Sequence, residues 1–218
     1  MGFKTILFDL DGTLTDPKTG IFNCIAYALG KMGRPVKGTD NWERYIGPPL
    51  LQSFAELLES DDLELARQAL AHYRERFSQQ GLFENRVYGG IEALLGQLKD
   101  RGSVLYVATS KPQVFARRII AHFMLDVYFK AVYGSELDGT RAEKSALLAH
   151  LMHAEALVPQ ESLMIGDRKY DVWGAKSAGL AAAGVLWGYG SRQELETAGA
   201  DWICDQPQEL NAICHPEQ

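Results

Sequence analysis

Short apolar runs and helical repeats take turns along most of this chain, and that alternation limits the folds open to it. Runs bounded by polar residues or glycine read as buried strands at residues 5–8, 104–108, 131–133, 163–165 and 183–187. Between them, Ile91, Leu94, Leu95 and Leu98 fall on one face at helical spacing, as do Phe115, Ile119, Ile120 and Phe123. Pro112 suits a first helical turn. Ser191, with Glu194 three residues on, makes a capping-box pattern for a further helix. Strands that alternate with helices pair in parallel, so the spacing predicts an α/β fold with helices on both faces of a parallel sheet.

One stretch breaks the pattern. Residues 16–85 show no strand signal, only helical steps: Ile21, Ile25, Leu29 and Met32, then Leu63, Ala66, Leu70, Tyr73 and Phe77. Gly33-Arg34-Pro35 and Gly47-Pro48-Pro49 punctuate them as turns. The chain is therefore expected to have a discontinuous α/β body, 1–15 and 86–218, with a small helical domain, 16–85, inserted after the first strand. A length of 218 residues accommodates one body and one small insert.

Composition removes several function classes. The net charge of -6 opposes binding to nucleic acid through phosphate contacts. No apolar stretch approaches the roughly 20 residues of a membrane span; the longest candidate, 178–190, is rich in small residues. The segment before Asp9 lacks a secretion signal, and Ile6 stands where myristoylation requires Ser or Thr. Cys24, Cys204 and Cys214 are an odd count without a C-x-x-C pair, which suits a reducing compartment. The expected location is cytoplasmic.

Two strands end in acid. The first closes as Leu7-Phe8-Asp9-Leu10-Asp11-Gly12-Thr13. In an open parallel sheet, ligands bind beyond the carboxyl ends of strands. Two carboxylates placed there repel unless a cation lies between them, and a hard divalent ion such as Mg²⁺ prefers oxygen ligands. An Asp-Gly turn after a strand is the plain structural alternative. An EF-hand loop is excluded, because Thr13 and Gly20 occupy ligand positions. The second cluster, Gly166-Asp167-Arg168-Lys169-Tyr170-Asp171, sets another carboxylate at a strand end and a second one helical turn later. Taken alone it reads equally as a pair of helix-capping acids. Its repetition at two strand ends favours a shared cation.

Two further segments carry polar groups to the same edge. The strand at 104–108 leads into Thr109-Ser110-Lys111-Pro112, whose hydroxyls and amides suit an anion or an ordinary helix cap. Lys144 opens a helix at 143–153 against the helix dipole, which calls for an anionic partner.

Read in order, Asp9-Leu10-Asp11-Gly12-Thr13, strand-Thr109-Ser110-Lys111, Lys144 and Gly166-Asp167-x-x-x-Asp171 resemble the motifs of the haloacid dehalogenase superfamily. The helical insert after the first motif resembles its phosphoglycolate-phosphatase-like branch. The likeness spans nearly the whole chain, including Gly139-Thr140-Arg141 and Gly184-Val185-Leu186-Trp187-Gly188-Tyr189-Gly190-Ser191. It implies a Rossmann-like α/β body with a mobile helical cap. It also implies Mg²⁺-dependent hydrolysis of a small phosphorylated metabolite, of phosphoglycolate or nucleoside 5'-monophosphate type, by a monomer or weak homodimer. Asp9 would be the nucleophile and Asp11 the acid, then base. Thr109, Ser110 and Lys144 would bind the phosphoryl group, Lys144 also balancing the charge of Asp9. Asp9, Asp167, the Asp11 carbonyl and Asp171 (directly or through water) would serve the metal. A phosphomutase is the nearest alternative, against which Thr13 weighs; a dehalogenase would lack the acid-base role of Asp11. A binding or regulatory member without turnover is the alternative of a different class.

Elementary electrostatics agrees with these roles. A phosphate dianion repels a carboxylate nucleophile, so attack needs cations that neutralise charge as it builds. Other signals are weaker. Gly188-x-Gly190 lacks a third glycine for dinucleotide binding, and no P-loop is present. Ala175-Lys176-Ser177-Ala178-Gly179 imitates a nucleophile elbow inside a helix. His150 and His153 share a polar helix face, and Trp42 and Tyr45 read as core.

Overall fold

The computed structural model describes residues 2–34, 36 and 39–216; Pro35 of the first turn signal lies outside them. In chain order the elements are β1 Thr5–Phe8, β2 Thr15–Asp16, α1 Lys18–Lys31, α2 Leu50–Leu58, α3 Leu63–Arg76, β3 Arg86–Val87, α4 Ile91–Asp100, β4 Val104–Pro112, α5 Gln113–His122, β5 Ala131–Ser135, α6 Lys144–Ala154, β6 Ser162–Gly166, α7 Lys169–Ser177, β7 Ala181–Val185, α8 Arg192–Ala198, β8 Trp202–Cys204 and α9 Leu210–Cys214. They divide into two compact units, Met1–Thr15 with Val87–Gln218, and Asp16–Arg86. Among the described residues no helix is long and apolar enough to cross a membrane.

The first unit is built on a six-stranded sheet of order β5-β4-β1-β6-β7-β8, parallel throughout. β1 is buried at every residue and lies between β4 and β6, with Phe8 opposite Val107 on one side and Ile165 on the other. Connections run outward in one direction from β4 and in the other from β6, so the order reverses at β1. That reversal opens a crevice beyond its carboxyl end. Leu7, Tyr106, Ala108, Met164 and Ala182 pack on one face against Leu147, Leu148 and Leu151 of α6, Val172 and Ala175 of α7 and Leu195 of α8. Ile6, Phe8, Leu105, Val107, Leu163 and Ile165 are buried in alternation with them, as a two-residue period dictates.

Several boundaries differ from the sequence reading. β7 lies at Ala181–Val185 rather than 183–187, because Ala181 and Ala182 pair with Leu163 and Met164 despite their small side chains. Leu186 and Trp187 thereby fall in the following turn. β8, which pairs with β7, carried no recognisable signal. β4 runs on through Thr109-Ser110-Lys111 to Pro112, with an irregularity opposite β5, so these residues prolong a strand instead of capping a helix. Pro112 is the residue before α5, not part of its first turn. Ser191 Oγ accepts from Glu194 N–H at 3.1 Å, but the Glu194 carboxylate accepts instead from Arg168 Nε and Lys169 N–H, both at 2.9 Å.

The second unit is helical, with β2 and β3 paired where the chain leaves and rejoins the sheet unit. Cys24, Ile25, Ala28 and Leu29 of α1 are buried, as are Phe54 of α2 and Ala66, Ala69 and Tyr73 of α3. Phe54 meets Tyr73 edge-on at 6.0 Å, and Tyr73 stacks on Phe77 at 5.2 Å. Arg76 grips Glu84 with two hydrogen bonds of 2.6 and 2.8 Å. Trp42, Tyr45 and Ile46 are buried, as the core reading of Trp42 and Tyr45 expects, while Arg44 beside them is exposed.

Candidate active site

β1 ends one residue before Asp9 and β6 one residue before Asp167, so both carboxylates leave the sheet core at the crevice, while β4 carries Thr109 within a strand that runs on to Pro112. Gly12 turns the chain after Asp11 at φ 86°, in the left-handed region glycine tolerates. Asp171 is the third residue of α7, and its Oδ2 accepts from Arg168 N–H at 3.1 Å. One carboxylate oxygen from each of Asp9, Asp167 and Asp171 lies within 4.8 Å of the others, and all three residues are buried.

Lys144 answers the question its position raised. Its buried ammonium donates to Asp9 Oδ1 at 2.9 Å and Ala108 O at 2.8 Å, and lies 2.7 Å from Asp171 Oδ1. Burial alone would lower its pKa, but the Asp171 and Asp9 carboxylates raise it above the ordinary lysine range and keep it charged. One cation does not balance three carboxylates. Burial first, then the charges of Asp171 and Asp9, push Asp167 well above the usual carboxylate range; burial and Asp9 raise Asp171 to about 6 despite Lys144. Asp167 Oδ1 is buried with no hydrogen-bond partner, while its Oδ2 accepts from Tyr189 N–H at 2.8 Å. Clustered oxygen donors, excess negative charge and an orphaned buried oxygen fit a hard divalent cation.

Asp11 belongs to the same crevice but its carboxylate is not one of the three clustered groups. Its Oδ2 pairs with Lys111 Nζ at 2.5 Å, and its Oδ1 is buried without a hydrogen-bond partner. Burial raises the Asp11 pKa, with Lys111 opposing. Lys111, quoted in the sequence only as part of a motif, is thus a second buried cation of the site. Its place directly after Thr109-Ser110 at a strand end was the available signal. Thr109 is buried, and its Oγ1 accepts from Lys111 N–H at 3.2 Å. Ser110 is half-buried, and its carbonyl accepts from Ser135 Oγ at 2.8 Å. Two carboxylate strand ends, two buried lysines and a buried hydroxyl around one crevice define a site for an anionic, phosphate-like group handled with a cation.

The comparisons agree with that class. The haloacid dehalogenase-like hydrolase family model matches residues 6–185, and the chain belongs to that family. A 5'-nucleotidase of Pseudomonas aeruginosa is 52% identical over 202 residues, covering 93% of this chain and 91% of that protein. The tyrosine-protein kinase PtkA of Mycobacterium tuberculosis is 39% identical over 188 residues, 86% of this chain but 63% of PtkA. The crystal structure of a predicted phosphatase from Clostridium acetobutylicum superposes with a TM-score of 0.91 at 44% identity, covering 96% of this chain and 97% of that one. The chain is a phosphoric monoester hydrolase of the haloacid dehalogenase-like kind.

Proposed function

We propose that this hydrolase removes phosphate from small phosphomonoesters with Mg²⁺ and by way of a phosphorylated Asp9. Nucleoside 5'-monophosphates are the first substrate class, by likeness to the 5'-nucleotidase, with phosphoglycolate second. The observation that carries the reading is the meeting of Asp9, Asp167 and Asp171 around an uncompensated negative charge beside Lys144. Asp9, Asp167 and Asp171, with the Asp11 carbonyl, would hold the ion, directly or through water. Bound there, magnesium offsets the charge of the carboxylates and polarises the phosphoryl group.

The chain's own residues do the rest. Lys144 fixes one Asp9 oxygen, which aims the other at phosphorus. As the new O–P bond forms, the ester P–O bond breaks, and the leaving oxygen takes the proton of the Asp11 carboxyl. Burial favours that proton on Asp11. Asp11, now ionised, accepts a proton from water, whose oxygen attacks phosphorus and frees both phosphate and Asp9. The Thr109 hydroxyl accepts from Lys111 N–H, which leaves its own proton to donate to a phosphoryl oxygen beside the Ser110 N–H. The helical unit takes the part of the cap, a role that rests on the family likeness. Hydrolysis of p-nitrophenyl phosphate with and without Mg²⁺, followed by a panel of nucleoside monophosphates and phosphoglycolate, tests the reading. No turnover at any Mg²⁺ concentration would leave a binding protein in its place.

A further inference from the structure

The turn after β7 touches both acidic strand ends, and the chemistry above gives it no task. Trp187 Nε1 donates to Thr13 O at 2.9 Å, across 174 residues of sequence. Two residues later Tyr189 N–H holds Asp167 Oδ2, while Oδ1 of the same carboxylate stays unpartnered and buried. The intervening residues work by having no side chain. A Cβ on Gly188 would lie 2.5 Å from Asp167 Oδ2 and overlap the Gly12 carbonyl and Asp167 Cβ; one on Gly190 would overlap the Asp167 carbonyl. Gly12 crowds the same carboxylate, since a Cβ there would lie 2.5 Å from the Asp167 carboxyl carbon.

We infer that Trp187-Gly188-Tyr189-Gly190 is the positioning device of the cation site, which clamps the loop after β1 and the end of β6 in one register. A carboxylate on a single methylene rotates freely unless one oxygen is tied. The Tyr189 N–H ties Oδ2 with a charge-assisted hydrogen bond, and this presents Oδ1 to the cation. That donor is backbone, so its place depends on how the turn is anchored. Trp187 is the anchor: its indole N–H fixes the turn to Thr13 O, in the segment that also carries Asp11 and Gly12. Trp187 is thus a positioning residue, acting on the ligands without touching the ion.

The inference rests on the reading of the acidic cluster as a Mg²⁺ site, and calorimetric titration of the metal-stripped full chain with MgCl₂ separates the two. Melting temperature against Mg²⁺ concentration gives a second readout that needs no turnover. Trp187→Phe keeps an aromatic ring and loses the donor; Gly188→Ala adds the methyl that the Asp167 carboxylate would meet. Both are expected to weaken Mg²⁺ binding by about 10–100-fold, the range for partners that orient metal ligands. The Mg²⁺-dependent rise in melting temperature should move to higher concentration by the same factor. Trp173→Phe, at a half-exposed indole, and Gly96→Ala, where the nearest atom to the new methyl is 3.9 Å away, should bind Mg²⁺ as the parent does. Parental affinity in both Trp187→Phe and Gly188→Ala would overturn the clamp. A parent that binds no Mg²⁺ would overturn the metal-site reading itself. Gly188→Ala decides the matter if Trp187→Phe folds poorly.

Discussion

Lys144 donates to Asp9 Oδ1 at 2.9 Å while lying 2.7 Å from Asp171 Oδ1, so one buried ammonium joins the end of β1 to the start of α7. Its removal leaves three buried carboxylates without an internal counter-charge. Breaking a buried pair costs about 3–5 kcal/mol. Lys144→Met should therefore lower the metal-free melting temperature by on the order of 10 °C. The variant should gain more from Mg²⁺ than the parent, and lose at least about 10²-fold in kcat. Equal melting curves with and without Mg²⁺ would contradict this.

Lys111 and Asp11 form a second buried pair, at 2.5 Å. Lys111→Met strands the Asp11 carboxylate and should destabilise the fold. Adding Asp11→Asn removes the stranded carboxylate and should restore most of the stability, while the loss of the acid-base group abolishes turnover. A urea-denaturation double-mutant cycle measures the coupling, expected at about 1–3 kcal/mol. Purely additive single losses would show that the pair does not couple.

Asp167 is held in a place that suits a bound cation and penalises the bare carboxylate, since burial and its acidic neighbours both raise its pKa. Asp167→Asn relieves that strain. Without metal the variant should melt as high as the parent or a few °C higher, at roughly 2–4 °C per kcal/mol. Its response to Mg²⁺ should be lost. A lower metal-free melting temperature together with a normal Mg²⁺ response would exclude the ligand role.

Glu155 tests the sheet rather than the site. Lys130 Nζ at 2.8 Å, Tyr133 OH at 2.6 Å and Tyr106 OH at 2.9 Å all donate to it. The Lys130 and Tyr133 bonds hold its pKa down from 4.5 to about 2. A depressed carboxyl contributes stability above its unfolded pKa and loses it as pH falls through the folded one. The melting-temperature gap between parent and Glu155→Gln should thus be full at neutral pH. It should shrink as pH falls from 4.5 towards 2. A gap independent of pH would assign the effect to packing.

Much of this was legible in the sequence because polar residues at the end of an apolar strand have few places to go. Asp9 and Asp167 are such residues, and Asp171 follows Asp167 at a helical interval that any α7 would bring round. Lys144 was visible as a charge in the wrong part of a helix. The place of Lys111 after Thr109-Ser110 was visible too, but its partner was not, since Asp11 lies a hundred residues away and only the pairing of β1 with β4 brings them together. The register of β7 was misread because alanines give a weak apolar signal, and sheet pairing rather than hydrophobicity decides it. The purpose of Gly188 and Gly190 was invisible for a different reason: what they avoid is a carboxylate on another strand.

In the proposed mechanism Asp9 carries the phosphoryl group during turnover. Quenching the parent during steady-state hydrolysis and reducing it with borohydride converts an aspartyl phosphate to homoserine, which peptide mass spectrometry locates. Homoserine is expected at position 9 in the parent and not in an Asp9→Asn variant, which should fold normally and fail to turn over. Turnover by that variant, or a phosphoryl group trapped at any other residue, would contradict the mechanism.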